Sequence, residues 1–317
     1  MKKILAIMAG VALLAACGQS YEETKRIARE NRREAMRRDS AALKIAVMPT
    51  LDCLPLYVAE HYGLLDSLNG GVRLKRYTAQ MDCDTALTRG RVEGSVSDLV
   101  RAKRMERDGM KLRYVATTNA YWLLVANRNA RIRQTKQLDD KMVAMTRLSA
   151  TDMLSDMVVD SARIDNERVF RVQINDLSVR MQMLQNNEMD ALWLTEPQAT
   201  AARLMKHNTL MDSRRAGVRL GTMVFREKEM RREGRSRQLQ LLVTAYNQAC
   251  DSINKYGVRH YGRIISERCG VAPQVADSLP ATLRYEHAHG PLQQDVTRVE
   301  QWLDKRLGAQ KKKDDKK

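Results

Sequence analysis

The chain has 317 residues, with 55 Lys and Arg against 38 Asp and Glu for a formal net charge of +17 at pH 7. Its length fits one large or two small domains, and with 44% apolar residues a sizeable core can form, so size does not limit stability. The basic residues are spread thinly and only the tail from Lys311 to Lys317 is dense; without an aromatic-plus-basic pattern this argues against a nucleic-acid partner and for a solvated surface beside an anionic membrane.

Met1-Lys2-Lys3 precedes an apolar run from Ile4 to Ala16 that ends in Leu14-Ala15-Ala16-Cys17. The run falls short of the roughly 20 apolar residues that span a bilayer. With its basic start and small residues before Cys17, it reads as an export signal over residues 1–16. Leu-Ala-Ala-Cys resembles a lipobox, so Cys17 is expected to be lipidated and to hold the chain on a bacterial membrane, facing the periplasm or the cell surface. Residues 17–42 then read as a charged tether. From Tyr21 to Asp39 there is no Pro or Gly, and Glu and Arg recur at three- and four-residue spacing, which supports helical turns without a face to bury.

From residue 43 the texture changes. Leu43 to Met48 is a buried-strand pattern ended by Pro49, and Pro55 to Tyr62 is helix-like and stops at Gly63. Val72 to Tyr77 alternates as a strand and leads into a helix from Asp82 that ends in Gly90. Gly94-Ser-Val-Ser-Asp98 is followed by a helix from Leu99 to Gly109, and two strands follow at Leu112 to Thr117 and Tyr121 to Ala126. A second set runs through strands at Lys141 to Thr146, Val169 to Ile174 and Ala191 to Leu194, with helices from about Thr151, after Asn175 and after Glu196-Pro197. Residues 218–225 are one more strand candidate, and from about Arg235 the chain is helical in pieces broken near Gly257, Gly270, Pro280 and Gly290-Pro291. Strand and helix thus alternate twice over, the pattern of an α/β fold.

Two α/β sets with a helical end resemble the two-lobed solute-binding proteins of ABC importers, of the type that takes sulfonates, nitrate or thiamine-pyrimidine compounds. The likeness is carried by Ala46-Val-Met-Pro-Thr-Leu-Asp52, Leu56-Tyr-Val-Ala59, Gly63-Leu-Leu65, Gly94-Ser-Val-Ser-Asp98 and Asp190-Ala-Leu-Trp-Leu-Thr-Glu-Pro197, through their order and spacing over about residues 43–260. It implies a periplasmic-binding-protein type II fold, with lobe one at 43–120, lobe two at 121–215, a return to lobe one and C-terminal helices at 216–308, and a basic tail at 309–317. A ligand cleft would lie between the lobes. The partners implied are a small-molecule solute and an ABC permease, with the protein acting as a monomer and needing no cofactor.

In such sheets, strand C-termini and helix N-termini converge on one edge, where backbone N–H groups and short polar side chains meet a ligand. The candidates on these edges are Thr50, Asp52, Cys53, Asp82, Cys83, Asp98 and Asn119 in lobe one, with Tyr121 and Trp122 at the crossover. In lobe two they are Thr146, Ser149, Thr151, Asn175 and Glu196. Five acids, Asp52, Asp82, Asp84, Asp98 and Glu196, fall at strand-to-helix turns, which fits either an amine-bearing ligand or plain helix capping. Arg147 with Ser149 and Thr151 offers an anion site opposite them, so a zwitterionic, thiamine-precursor-like heterocycle leads, with a sulfonate- or nitrate-type anion as the alternative. Tyr121, Trp122 and Trp193 are candidates to stack on a ring, or simply core aromatics.

Cys53, Cys83, Cys250 and Cys269 remain after Cys17, and in an exported chain an even remainder suggests disulfides, with Cys53–Cys83 and Cys250–Cys269 favoured. His287-Ala-His289 beside Glu286 reads as surface, so no metal site is expected, and the scattered methionines read as core filling. No nucleotide loop, metalloprotease or hydrolase signature is present. A thiamine-pyrimidine synthase on the same fold would be cytosolic and carry a cysteine-rich run that this chain lacks. The reading is therefore a binding protein, not an enzyme, with an envelope adaptor that has lost ligand binding as the remaining alternative.

Overall fold

The computed structural model describes residues 21–67 and 70–314, so the export signal, Cys17 and the last three residues of the tail lie outside the described residues. Two five-stranded sheets form the two lobes. The first contains β1 (Leu43–Val47), β2 (Val72–Arg76), β3 (Gly94–Asp98), β4 (Leu112–Thr117) and β10 (Gly221–Arg226) in the order β2-β1-β3-β10-β4; the second contains β5 (Leu123–Ala126), β6 (Lys141–Met145), β7 (Val169–Gln173), β8 (Ala191–Leu194) and β9 (Asn208–Asp212) in the order β7-β6-β8-β5-β9. β1, β2 and β3 are parallel, as are β6, β7 and β8, whereas β10 and β5 are inserted antiparallel to both of their neighbours. Helices cover both faces of such sheets, so central strands read as continuous apolar runs, as in Ala191–Leu194 with every residue buried.

The antiparallel insertions set how the chain passes between the lobes. The chain leaves the first sheet after Thr117, builds the second, and returns after Asp212 to place β10 between β3 and β4. Two crossovers therefore join the lobes, an arrangement suited to hinge bending. They are packed tightly: Leu99 N donates to Leu220 O at 2.6 Å, and Thr118 N to Gly221 O at 3.1 Å. Strand β9 escapes the sequence reading because it is an edge strand of half-buried residues without a clean alternation.

Helices fall where caps and periodicity put them. Leu54–His61 buries Leu54 to Ala59, and Arg235–Tyr256 presents Leu242, Ala245, Tyr246, Ala249 and Ile253 to the core at helical spacing before Gly257, at φ 83°, ends it. The charged segment before β1 is one largely exposed helix, Tyr21–Ala41, held at its C-terminal end: Asp39 pairs with Lys44 and Lys75 at 3.0 Å each, and Ala41 O accepts from Arg235 and Gln238. No helix among the described residues is long and apolar enough to cross a membrane.

The cysteine pairings are corrected by the structure. Cys53, Cys83, Cys250 and Cys269 are free and buried. Each is absorbed as a small apolar side chain: Cys53 Sγ accepts from Thr50 at 3.9 Å, Cys250 Sγ donates to Glu286 O at 3.4 Å, and burial pushes all four thiols up, Cys250 to about 12.

Gly94 opens β3 where the Phe225 ring of β10 crosses it, and a Cβ there would sit 2.3 Å from that ring. Gly94→Ala is expected to cost about 1–3 kcal/mol by overpacking, read as a lower urea midpoint with an unchanged slope; an unchanged midpoint would mean that Phe225 moves aside freely.

Candidate functional site

The C-terminal ends of the two sheets face each other across a cavity of about 70 Å³. At roughly 10–15 Å³ of such volume for a water molecule, this is room for about five water-sized groups. Lobe one contributes Thr50 and Asp52 after β1, Gln80, and Ser97 and Asp98 at the end of β3; lobe two contributes Thr146, Ser149 and Thr151 after β6, Asn175 after β7, and Trp193 and Thr195 around the end of β8. Ala120 and Trp122 of the first crossover form its back.

Asp98 ties the lobes together. Its Oδ1 accepts from Arg101 N at 3.0 Å, capping the helix Leu99–Arg107, and from Ala150 N at 3.1 Å, at the start of the lobe-two helix Ala150–Ala162. One carboxylate oxygen thus satisfies otherwise unpaired N–H groups at two helix starts on opposite lobes, where the helix dipoles also favour negative charge. Burial outweighs Arg101 and the two amides and lifts the carboxyl to about 6. Two further bonds reinforce the seam, Leu51 N to Glu196 O at 2.9 Å and Gln198 Nε2 to Pro49 O at 2.8 Å.

Two buried guanidinium groups line the cavity and differ in their compensation. Arg101 is bound to Asp84 through Nε at 2.5 Å. Arg180, in the helix Leu177–Gln185, gives all three of its hydrogen bonds to neutral oxygens: Ile174 O at 2.8 Å, Trp193 O at 2.7 Å and Thr146 Oγ1 at 2.8 Å. Desolvation holds it down to about 10, opposed by the field of Asp176. A buried cation bonded only to neutral groups is costly unless an anion joins it. Asp52 is its counterpart: burial raises its carboxyl, and its contacts to the Thr50 and Thr118 hydroxyls only partly offset that. Asn175 and Thr195 also line the cavity, and their buried Oδ1 and Oγ1 have no hydrogen-bond partner among the described residues.

Of the residues marked in the sequence, Thr50, Asp52, Asp98, Trp122, Thr146, Ser149, Thr151 and Asn175 meet at this cavity. The others lie elsewhere. Cys53 and Cys83 point into the core. Asp82 lines a shallow depression with Arg76, Tyr77 and Arg268, and Asn119 and Tyr121 line a separate cavity at the crossovers, where Arg214 lies 4.1 Å from the Tyr121 ring centre. Glu196 is buried but caps its own helix, accepting from Thr200 N at 2.8 Å and Arg203 at 3.0 Å. Arg147 is exposed and does not line the cavity, whereas Arg180 does. Arg101 and Arg180 were missed because basic residues on helices were read as solvated faces. The signal was there: Leu177, Arg180 and Leu184 are the buried residues of their helix at i, i+3 and i+7, so Arg180 interrupts an apolar stripe.

Residues 50–256 match the family model described as NMT1/THI5 like. No curated protein matches the chain in sequence. Among solved structures, the alkanesulfonate-binding protein SsuA from Xanthomonas axonopodis pv. citri bound to MOPS superposes with a TM-score of 0.70 at 18% identity, over 86% of this chain and 93% of that one. The ligand-binding component of an ABC-type import system from Staphylococcus aureus gives 0.68 at 16%, over 82% and 91%. The periplasmic nitrate-binding protein NrtA from Synechocystis PCC 6803 gives 0.66 at 12%, over 80% and 74%. The fold is the expected two-lobed periplasmic-binding-protein type II fold with a helical C-terminal part.

Asp98 makes the stability of the fold pH-dependent. Its carboxyl holds a proton more tightly folded, at about 6, than at its ordinary 3.8. The native state therefore binds more protons between those values, and the contribution is fullest below about 4 and lost as pH rises through about 6. Asp98→Asn removes the titration and keeps an oxygen acceptor. Measured by urea unfolding, the stability of the native protein relative to this variant should fall by about 2–3 kcal/mol from pH 4 to pH 7; a relative stability that rises with pH would show that Asp98 is better solvated than this.

Proposed function

As the chain belongs to the NMT1/THI5-like family, we propose that it is a solute receptor, lipid-anchored through Cys17 on the outer side of a bacterial membrane, that closes its lobes on a small polar molecule and presents it to an ABC permease. The observation that carries this reading is the cavity itself: a small, buried space whose polar walls come from both lobes, with a guanidinium in want of an anion and hydrogen-bonding atoms in want of partners. Closure of two lobes around a ligand needs no bond chemistry. Affinity comes from burying the ligand between preformed groups, and the closed shape is the signal a permease reads.

The groups specify the ligand's chemistry. Arg180, with the hydroxyls of Thr146, Ser149 and Thr151, suits a sulfonate, carboxylate or nitrate, and Asp52 with Thr50 suits an amine or ring N–H. A compact zwitterion satisfies both ends. An amine-bearing thiamine-precursor-like heterocycle fits that polarity, with Trp122 and Trp193 beside the ring, but needs the lobes parted further than in this structure. The second reading is a simple anion. It is favoured by Arg180, and it is in keeping with the sulfonate- and nitrate-binding proteins that share the fold.

Calorimetry with taurine, nitrate, methanesulfonate and an aminomethylpyrimidine separates these. Arg180→Gln should weaken any bound anion by about ten- to a hundredfold, the worth of one charge-assisted hydrogen bond of about 1.5–3 kcal/mol. Asp52→Asn should do the same for amine-bearing solutes and leave nitrate unchanged. A native protein that ignores every compound would replace the receptor with an adaptor that keeps the fold alone.

A further inference from the structure

The C-terminal helix Gln293–Asp314 carries three stripes, each facing a different neighbour. Val296, Val299 and Leu303 are buried among Leu99 and Val100 of lobe one and Met153 and Leu154 of lobe two. At about 100° per residue, Glu300 and Asp304 lie to one side of that apolar stripe and Trp302 and Arg306 to the other. Glu300 and Asp304 reach lobe one: Lys103 pairs with Glu300 at 3.2 Å, and Arg107 bonds Glu300 O at 3.1 Å and Asp304 at 2.8 Å. Trp302 and Arg306 reach lobe two: Trp302 Nε1 donates to Asp156 at 2.6 Å and Arg306 to Asp152 at 3.1 Å.

Asp152 leads from this helix to the cleft. It is 1% exposed; its Oδ1 accepts from Arg171 at 3.0 Å and from Arg306, and its Oδ2 accepts from Leu148 N at 2.9 Å. Leu148 has a left-handed backbone at φ 50°, a costly conformation for a leucine that the surrounding structure has to hold. The turn it makes sets Thr146 and Ser149 into the cavity wall. Ala150 N, which closes on Asp98, follows two residues later.

We propose that the C-terminal helix is an inter-lobe strap, and that Arg306 and Trp302 are positioning residues that hold the Thr146–Thr151 cleft wall in its lobe-closed place from a base on lobe one. Neither side chain touches the cavity. The consequence for solute affinity rests on the receptor reading; the strap itself does not. A helix that merely filled the back of the molecule would need only its apolar stripe, whereas this one also spends paired polar groups on each lobe separately.

Amide hydrogen exchange on the full chain, with no solute added, tests the strap without depending on the identity of a ligand. Arg306→Ala leaves Asp152 paired with Arg171 and should speed exchange at Leu148 and Ala150 about tenfold, while Val158 and Val159, deeper in the same helix, keep their rates. Arg306→Lys should recover part of the protection. The deciding variant is Glu300→Ala with Asp304→Ala, which touches lobe one alone. Its pairs are partly exposed and weak, so about threefold faster exchange at Leu148 and Ala150 is expected. Unchanged exchange at those two amides in the lobe-one variant would overturn the strap, whatever Arg306→Ala does, and so would loosening spread evenly through the chain. A native protein that binds none of the solutes, while the variants show the expected faster exchange at Leu148 and Ala150, would count against the receptor reading and leave the strap standing.

Discussion

A single carboxylate oxygen accepting two backbone N–H groups from opposite lobes is the constraint around which this molecule is organised. Asp98 ends β3 and begins a helix, so its backbone belongs to lobe one, yet its side chain also serves the first amide of the lobe-two helix Ala150–Ala162. Helix starts present unpaired donors and a positive field. Bringing two of them to one carboxyl oxygen ties the sheet edges together around the space lined by Asp52, Thr146 and Arg180. Parting the lobes would separate Asp98 from Ala150 and return both to water, so the bond favours the arrangement seen here without locking it.

The cavity follows from how charge is compensated. Arg101 and Asp84 neutralise each other, and Glu196 is taken by its own helix and Arg203. Besides Asp98 at the seam, what is left toward the cavity is Asp52 near one wall and Arg180 at the other, each held by neutral groups. Such a pair is unfavourable to bury alone and favourable to bury with a complementary ligand. The basic surface outside contributes little to this: many of its ion pairs are exposed, as Arg168 with Asp139 and Arg219 with Glu286 are, and such pairs are worth little in water.

Much of the architecture could be read in advance because it rests on local chemistry. Pro49 after an apolar run, Asp98 and Ser149 as caps, and the β-branched and aliphatic strands at Leu43 and Ala191 each announce an element in a few residues. The antiparallel entry of β10 and β5 was not legible, since pairing partners far apart in sequence leave no local mark; nor was β9, a short edge strand. Thr50, Asp98, Thr146 and Asn175, marked at strand-to-helix turns, line the cavity because those turns fall on the facing sheet edges. Cys53 and Cys83 lie beside these edges in sequence, but their side chains are packed in the core. Arg101 and Arg180 stayed hidden because a charged residue on a helix normally faces water, and only the buried stripe it interrupts tells otherwise.

A receptor of this kind closes its two lobes on a solute across the Asp98 seam. Spin labels at Thr88 in lobe one and Gln185 in lobe two, both exposed ends of rigid helices, report their separation by pulsed electron resonance. Titration with a bound solute from the calorimetric panel should collect a broad distance distribution into one narrow short distance, and Asp98→Ala should shift the distribution back toward longer values at every solute concentration. A distribution that stays the same with and without solute, and in both proteins, would contradict closure as the working motion of this fold.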